Sequence, residues 1–178
     1  MSTSLVKFQI GPVQEFISQA RSTRDLWSGS YLLSWLIAAG IRKLLDNGGE
    51  LVFPNPNPKE QPLLGNPESW RDLKDHTALL TPNLPNLFVA KIPSVGAKNF
   101  AVEIQQAIEG EWRKIYEAVW KHQDFIAADQ RDRFERQVKR FLSVSWQVTP
   151  LNENDYATAY QQNGRQLDAT RQTRDFKA

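Results

Sequence analysis

Hydrophobic and polar residues alternate over residues 4–10, with Val6, Phe8 and Ile10 on one side of an extended chain and Leu5, Lys7 and Gln9 on the other. A period of two with one apolar side is that of a strand with a buried face. At Gly11-Pro12 the period changes. Val13, Phe16, Ile17 and Ala20 recur at helical spacing, and a proline suits the first turn of a helix, where its missing N–H costs nothing. Ser22 or Thr23 is placed to cap a second helical stretch from about Arg24 to Leu45. Its apolar side is built from Leu26, Trp27, Leu33, Leu36, Ile37, Ile41 and Leu44, and Asn47-Gly48-Gly49 stops it.

Glu50 to Phe53 reads as a short strand, after which PNPNPKEQPLLGNPE is too rich in Pro and Asn to continue a sheet or helix. An insertion over residues 55–84 is expected, with Ser69 capping a short helix from Trp70 to about His76. LFVAKIP, apolar on both faces, predicts a central strand. Ala97 to Gln123 carries Phe100, Ile104, Ile108, Trp112, Ile115, Val119 and Trp120 near helical spacing, with Gly110 its weakest point. Residues 128–141 are charged but helical, with Phe134, Val138 and Phe141 as a narrow stripe. In LSVSWQVTP, Leu142, Val144, Trp146 and Val148 point one way and Ser143, Ser145, Gln147 and Thr149 the other, a strand with one polar face. Residues 152–176 are polar with Tyr156, Tyr160, Leu167 and Phe176, a terminal helix or helix pair that needs a partner surface.

The order strand, helix, strand, strand, helix, strand predicts an α+β fold of ferredoxin-like βαββαβ type: a four-stranded antiparallel sheet with helices on one face and extra helices besides. The other face would present Lys7, Gln9, Ser143, Ser145 and Gln147. The chain has 178 residues, enough for one domain with a substantial insertion. Its 22 basic and 20 acidic side chains are mixed along the sequence, so no broad single-sign field points to a polyanion. Without cysteine there is neither a disulfide framework nor a thiolate metal site, and His76 and His122 lie too far apart for a local metal motif. No metal is expected from this chain alone. No run approaches the roughly 20 apolar residues of a membrane span, and the expected location is the cytoplasm.

The Gly11-Pro12 junction permits two readings. A helix start offers about four unpaired N–H groups and the positive end of the helix dipole, and a preceding glycine leaves room for a phosphate. Yet Pro12 removes one donor and no lysine follows of the kind a P-loop uses, so a plain strand-to-helix turn is the simpler alternative. The strand ends in Phe8-Gln9-Ile10, with Glu15 and Asp25 the nearest acids, and glutamine does not replace a carboxylate as an anchor for a hard cation.

The run GPVQEFISQARSTRDLWSGSYLLSWL resembles the opening of the first palm domain in the large polymerase/cyclase-like subunit of type III-B CRISPR effector complexes. The similarity is carried by Gly11, Pro12, Gln14, Phe16, Ile17, Ala20, Arg21, Arg24, Asp25, Leu26, Trp27, Gly29, Ser30 and Leu33. LPNLFVAKIP fits too, though the family pattern usually has Arg where Leu87 stands, as do WQVTPL, Tyr156, Tyr160 and the ending TRQTRDF. The resemblance implies a palm over residues 1–150 and a helical linker over 151–178 leading towards an absent downstream part. Such subunits pair two palms and, when the complex binds target RNA, convert ATP to cyclic oligoadenylates in antiviral defence, with catalytic acids in a GGDD motif of the second palm. This sequence holds neither GGDD nor an HD nuclease motif, Asp75-His76 being in reverse order, so no catalytic residue is expected in it.

What the resemblance implies is a degenerate palm that binds ATP at Gly11, Pro12 and Gln14, supported by Gly29 and Ser30, and shares that nucleotide with the second palm. Gln14 would bond a base or ribose and Ser30 a phosphate or ribose oxygen. Helix packing is the preferred role for Phe16, Ile17, Leu26, Trp27 and Leu33, and Asp25 with Arg21 or Arg24 is expected to cap or brace the bend. Implied partners are the rest of the large subunit or other effector subunits, with guide and target RNA met only indirectly. The rival reading is a structural and interaction module that touches no nucleotide. A ferredoxin-like RNA-binding domain is a third, and the aromatic central-strand motif of such domains is missing. Arginines beside aromatics over 112–141 and 156–176 are interleaved with Glu109, Glu111, Glu117, Asp129, Asp132 and Glu135, which suits a solvated or protein-facing surface better than an RNA surface.

Overall fold

A computed structural model describes residues 2–54, 61–65, 77–124, 126–151 and 155–172. Four strands, β1 (Thr3–Gly11), β2 (Glu50–Phe53), β3 (Leu87–Pro93) and β4 (Ser143–Leu151), form one antiparallel sheet in the order β2-β3-β1-β4. That order is the ferredoxin-like one, each of the two crossovers leaving room for one strand between its ends. β3 is interior, as its two apolar faces require.

Helices α2 (Thr23–Asp46) and α4 (Ala97–His122) cover one face and close the main core. Val6, Phe8 and Ile10 of β1 and Phe88, Ala90 and Ile92 of β3 meet Leu36, Ile37 and Ile41 of α2 and Ile104 and Ile108 of α4 there. The helices approach closely because Gly40 carries no side chain: a Cβ on it would stand 2.8 Å from Ile108 Cδ1. Glu111 of α4 accepts the Trp35 indole N–H at 3.0 Å and pairs with Lys114 at 3.0 Å. Burial opposes its charge, but those two hydrogen bonds and the Lys114 and Arg42 charges outweigh it and hold the carboxyl below the usual glutamate range.

Ser22 caps α2 by accepting the Asp25 N–H at 3.2 Å, while the Asp25 carboxylate accepts the Arg21 N–H at 3.1 Å. This capping exchange fixes the bend after the short α1 (Val13–Ser18), as Asp25 was expected to do. Burial along α2 begins only at Leu33. Packing is therefore not the role of Leu26 and Trp27, which are exposed because they precede the part of α2 that the sheet and α4 cover. The side chains of Phe16 and Ile17, and the helix expected at 70–76, lie outside the described residues.

Parts of the 55–84 insertion complete the core. Leu63 and Leu64, in a 3-10 turn at Pro62–Leu64, Leu79 of α3 (Thr77–Leu80) and Leu84 are all buried in it. Ser34 of α2 donates to the Leu84 carbonyl at 2.9 Å. After α4, α5 (Arg131–Phe141) buries no residue; the Phe134 ring lies tilted against Trp120 with centroids 5.2 Å apart, and Trp112 donates to the Val138 carbonyl at 3.0 Å. Glu135 engages both Arg131 and Lys139, so an interleaved acid neutralises part of that surface.

The helix α6 (Tyr156–Gln172) lies within the stretch expected to be a helical linker, and it finds its partner surface on the palm itself. It packs on the second, polar face of the sheet, across β4 and β1. Its contact is polar at the centre: the fully buried Asn163 amide nitrogen donates to the Gln147 carbonyl at 2.9 Å, with the Leu5 carbonyl and the Thr149 hydroxyl at 3.2 Å. Gln166 accepts from Gln147 at 3.1 Å and Thr149 at 3.2 Å, Tyr160 lies under the Lys7 ammonium, and Leu5 and Leu167 are fully buried. The surface that this helix needs is its own sheet. Among the described residues no helix is long and apolar enough to cross a membrane, and no three His, Asp or Glu side chains gather as a metal site.

Candidate nucleotide-binding cleft

β1 ends where its period fails, at Gly11, and the chain turns through a cis Gly11–Pro12 peptide into α1. Beside this turn lies a cleft of about 470 Å³, within the usual range for small-ligand sites. Gly11, Pro12, Val13 and Gln14 form its floor and Gln9 and Ser145 its sheet side. Asn86 precedes β3 and clamps the end of β1, its side-chain amide donating to the Ile10 carbonyl at 3.1 Å and its main-chain carbonyl accepting the Ile10 N–H at 2.9 Å.

The last side chain of the wall is Arg171, brought across from the end of α6. Its Nη1 donates to Gln9 Oε1 at 3.1 Å and lies 3.8 Å from Asp168 Oδ1. Because α6 is docked on β4 and β1 through Asn163 and Gln166, that docking sets where Arg171 stands. Hydrophobic periodicity gives no signal for this; the only cue in the sequence is that Arg171 belongs to the TRQTRDF stretch.

Three of the five expected contact residues, Gly11, Pro12 and Gln14, thus share one cleft, and two do not. Gly29 lines a different hollow with Phe141, and the Ser30 hydroxyl donates to the Leu26 carbonyl of its own helix at 3.0 Å. α1 has only six residues, so the dipole at its start is slight and the cationic charge of the cleft is that of Arg171. A side chain at Gly11 would meet Ser143 Oγ at 3.3 Å, so the glycine keeps this wall low.

The lining suits part of a nucleotide. Gln9, Gln14, Asn86 and Ser145 offer amide and hydroxyl groups that pair with a base or ribose, and the guanidinium can fork onto phosphate oxygens. Among the described residues that line it, Arg171 is a single cation, which does not neutralise a triphosphate, and none carries a carboxylate to anchor a magnesium ion.

The family model described as "CRISPR-associated protein Cmr2, N-terminal" matches residues 5–117, more than half of the chain. The chain belongs to the Cmr2 N-terminal family. Within that family's span fall most of β1, the Gly11-Pro12 junction, α2, β3 and most of α4. A curated relative, the CRISPR system Cmr subunit Cmr2 of Pyrococcus furiosus, is 28% identical over 162 residues, which is 85% of this chain and 18% of that protein. A chain in a cryo-EM structure of the type III-B Cmr-beta bound to cognate target RNA superposes with a TM-score of 0.56 at 18% identity, covering 96% of this chain and 23% of that one. This second likeness establishes a shared fold. The chain spans about a fifth of the length of both.

Proposed function

We propose that this chain is the first, non-catalytic palm of the large subunit in a cytoplasmic type III-B CRISPR effector complex. In this reading it lends one wall to an ATP site whose catalytic acids belong to a second palm that makes cyclic oligoadenylates. The observation that carries it is the cleft at the end of β1, where Gly11, Pro12 and Gln14 from the family stretch meet Arg171 from the opposite end of the chain. Family membership over residues 5–117 supports the assignment to the large subunit, and the fold shared with a chain of a Cmr-beta complex supports neighbouring Cmr subunits as partners.

The chain's own residues bind and orient. Arg171 balances phosphate charge as the substrate is held against the backbone at Gly11, the amides of Gln9, Gln14 and Asn86 fix base and ribose, and among the described lining residues there is neither a general base nor a carboxylate. Nucleotidyl transfer then depends on groups from the facing palm. The rival reading, an interaction module without nucleotide contact, is favoured by a separate exposed aromatic surface on α2.

Titration of ATP into the full-length large subunit separates the two. Arg171→Ala removes a charge-assisted contact worth about 1.5–3 kcal/mol, so ATP affinity should fall roughly 10- to 100-fold. The guanidinium is exposed and its ion pair with Asp168 is a surface one, so the melting temperature should barely move. Unchanged affinity in the folded variant would leave the interaction module as the better reading.

A further inference from the structure

Ala159, Asn163, Leu167 and Arg171 form one ridge of α6, each four residues after the last. The first three are the buried residues of the described helix, and the fourth reaches Gln9 in the cleft. The helix follows the polar face of β1 throughout: Asn163 binds the Leu5 carbonyl, Tyr160 lies against the Lys7 ammonium and Arg171 binds Gln9. One seat therefore carries both the hold on the helix and the cation of the cleft.

That seat is separate from the main core. None of the described α6 residues belongs to the cluster that α2 and α4 close over the opposite face of the sheet, so α6 can leave without opening that core. The centre of the seat is also incompletely bonded. The Asn163 amide nitrogen faces three acceptors, but its carbonyl oxygen is buried with no hydrogen-bond partner among the described residues, which weakens the docked state against one in water. From the helix side only Ala159 and Leu167 add apolar burial.

We propose that α6 is a latch for the cleft: docked, it supplies Arg171 to phosphate, and released, it withdraws the one cation among the described lining residues. Asn163 is then a positioning residue, acting on the nucleotide through Arg171 although it lines no part of the cleft. The proposal rests on the nucleotide reading above and adds its regulation. Because docked and released forms differ in affinity for phosphate, occupancy of the cleft and docking of the helix favour each other by the same factor. ATP holds the latch shut, and whatever displaces α6 from the sheet lowers the affinity for ATP.

The test uses the full-length large subunit, with hydrogen exchange to read the helix and ATP titration to read the cleft. In the parent protein ATP should slow exchange over residues 156–167, which lie outside the cleft. Asn163→Asp combined with Leu167→Glu puts two charges into the seat. It should free the helix to exchange and cut ATP affinity by the same roughly 10- to 100-fold as Arg171→Ala, with the thermal transition of the main core retained. Adding Arg171→Ala to that pair should change the affinity by less than about twofold, because a released helix has no cation left to withdraw. Full ATP affinity with α6 exchanging freely, beside a weakened Arg171→Ala, overturns the latch and leaves the nucleotide reading standing. Additive losses, a helix that stays protected in the double variant, or no ATP protection over 156–167 in the parent overturn it as well. Arg171→Ala binding ATP like the parent overturns both.

Discussion

Phe8→Ala should lower the unfolding free energy by about 3–5 kcal/mol, read from the shift in urea midpoint at constant slope. Phe8 sits directly opposite both Phe88 on β3 and Trp146 on β4, so it occupies the middle of the sheet on the side that α2 and α4 cover. Its ring is fully buried, stacked on Phe88 with centroids 4.9 Å apart and tilted against Trp146 at 6.2 Å. Truncation removes the shared element of two aromatic pairs and leaves a void between two strands and two helices that are already in contact. The neighbours cannot close it cheaply, because Gly40 has brought α2 and α4 as near as Ile108 allows. A loss below 1 kcal/mol would mean that β1 is not the centre of the packed layer, and the junction it carries would lose its rigid support.

Asn163→Asp should undock α6. The substitution keeps the shape of the side chain but replaces its N–H donors, which face the Leu5 and Gln147 carbonyls, by carboxylate oxygen. A buried anion against two carbonyl oxygens costs about 3 kcal/mol or more, roughly a 100-fold shift towards the undocked helix. Global unfolding would register only part of this, since release of one terminal helix caps the loss. Hydrogen exchange along α6 is the sensitive readout, and it should quicken over the whole helix. The variant also has a defined pH response: burial raises the folded pKa of the new carboxyl above its unfolded value, so the docked form binds more protons and recovers stability as pH falls through that folded pKa. Undisturbed exchange at neutral pH would show that the polar contact does not hold the helix.

The strands and long helices were legible because each presents an unbroken period. β3 lies where LFVAKIP predicts, β1 extends the expected strand by one residue at each end, and α2 runs one residue further at each end than its apolar pattern indicates. The 128–141 segment divides into a 3-10 turn at Ala128–Gln130 and α5, a distinction that a stripe of three apolar residues does not encode. The expected polar face of the sheet is present, yet its partner was hidden, because α6 recognises it through Asn163, Gln166, Thr149 and Gln147 rather than through an apolar stripe. For the same reason Arg171 was missed as a cleft residue. Trp27 erred the other way: its spacing continues the apolar side of α2, and spacing alone does not tell where the covering layer stops.

The central claim is that the end of β1 and the end of α6 form one side of a nucleotide site. Hydrogen–deuterium exchange on the full-length large subunit, with and without ATP, tests it most directly. The account predicts slower exchange on ATP addition in two separate stretches, residues 9–14 and the last turn of α6 around Arg171, and predicts that Arg171→Ala raises the ATP concentration needed for both roughly 10- to 100-fold. Protection by ATP that leaves both stretches unchanged while appearing elsewhere in the subunit would contradict it.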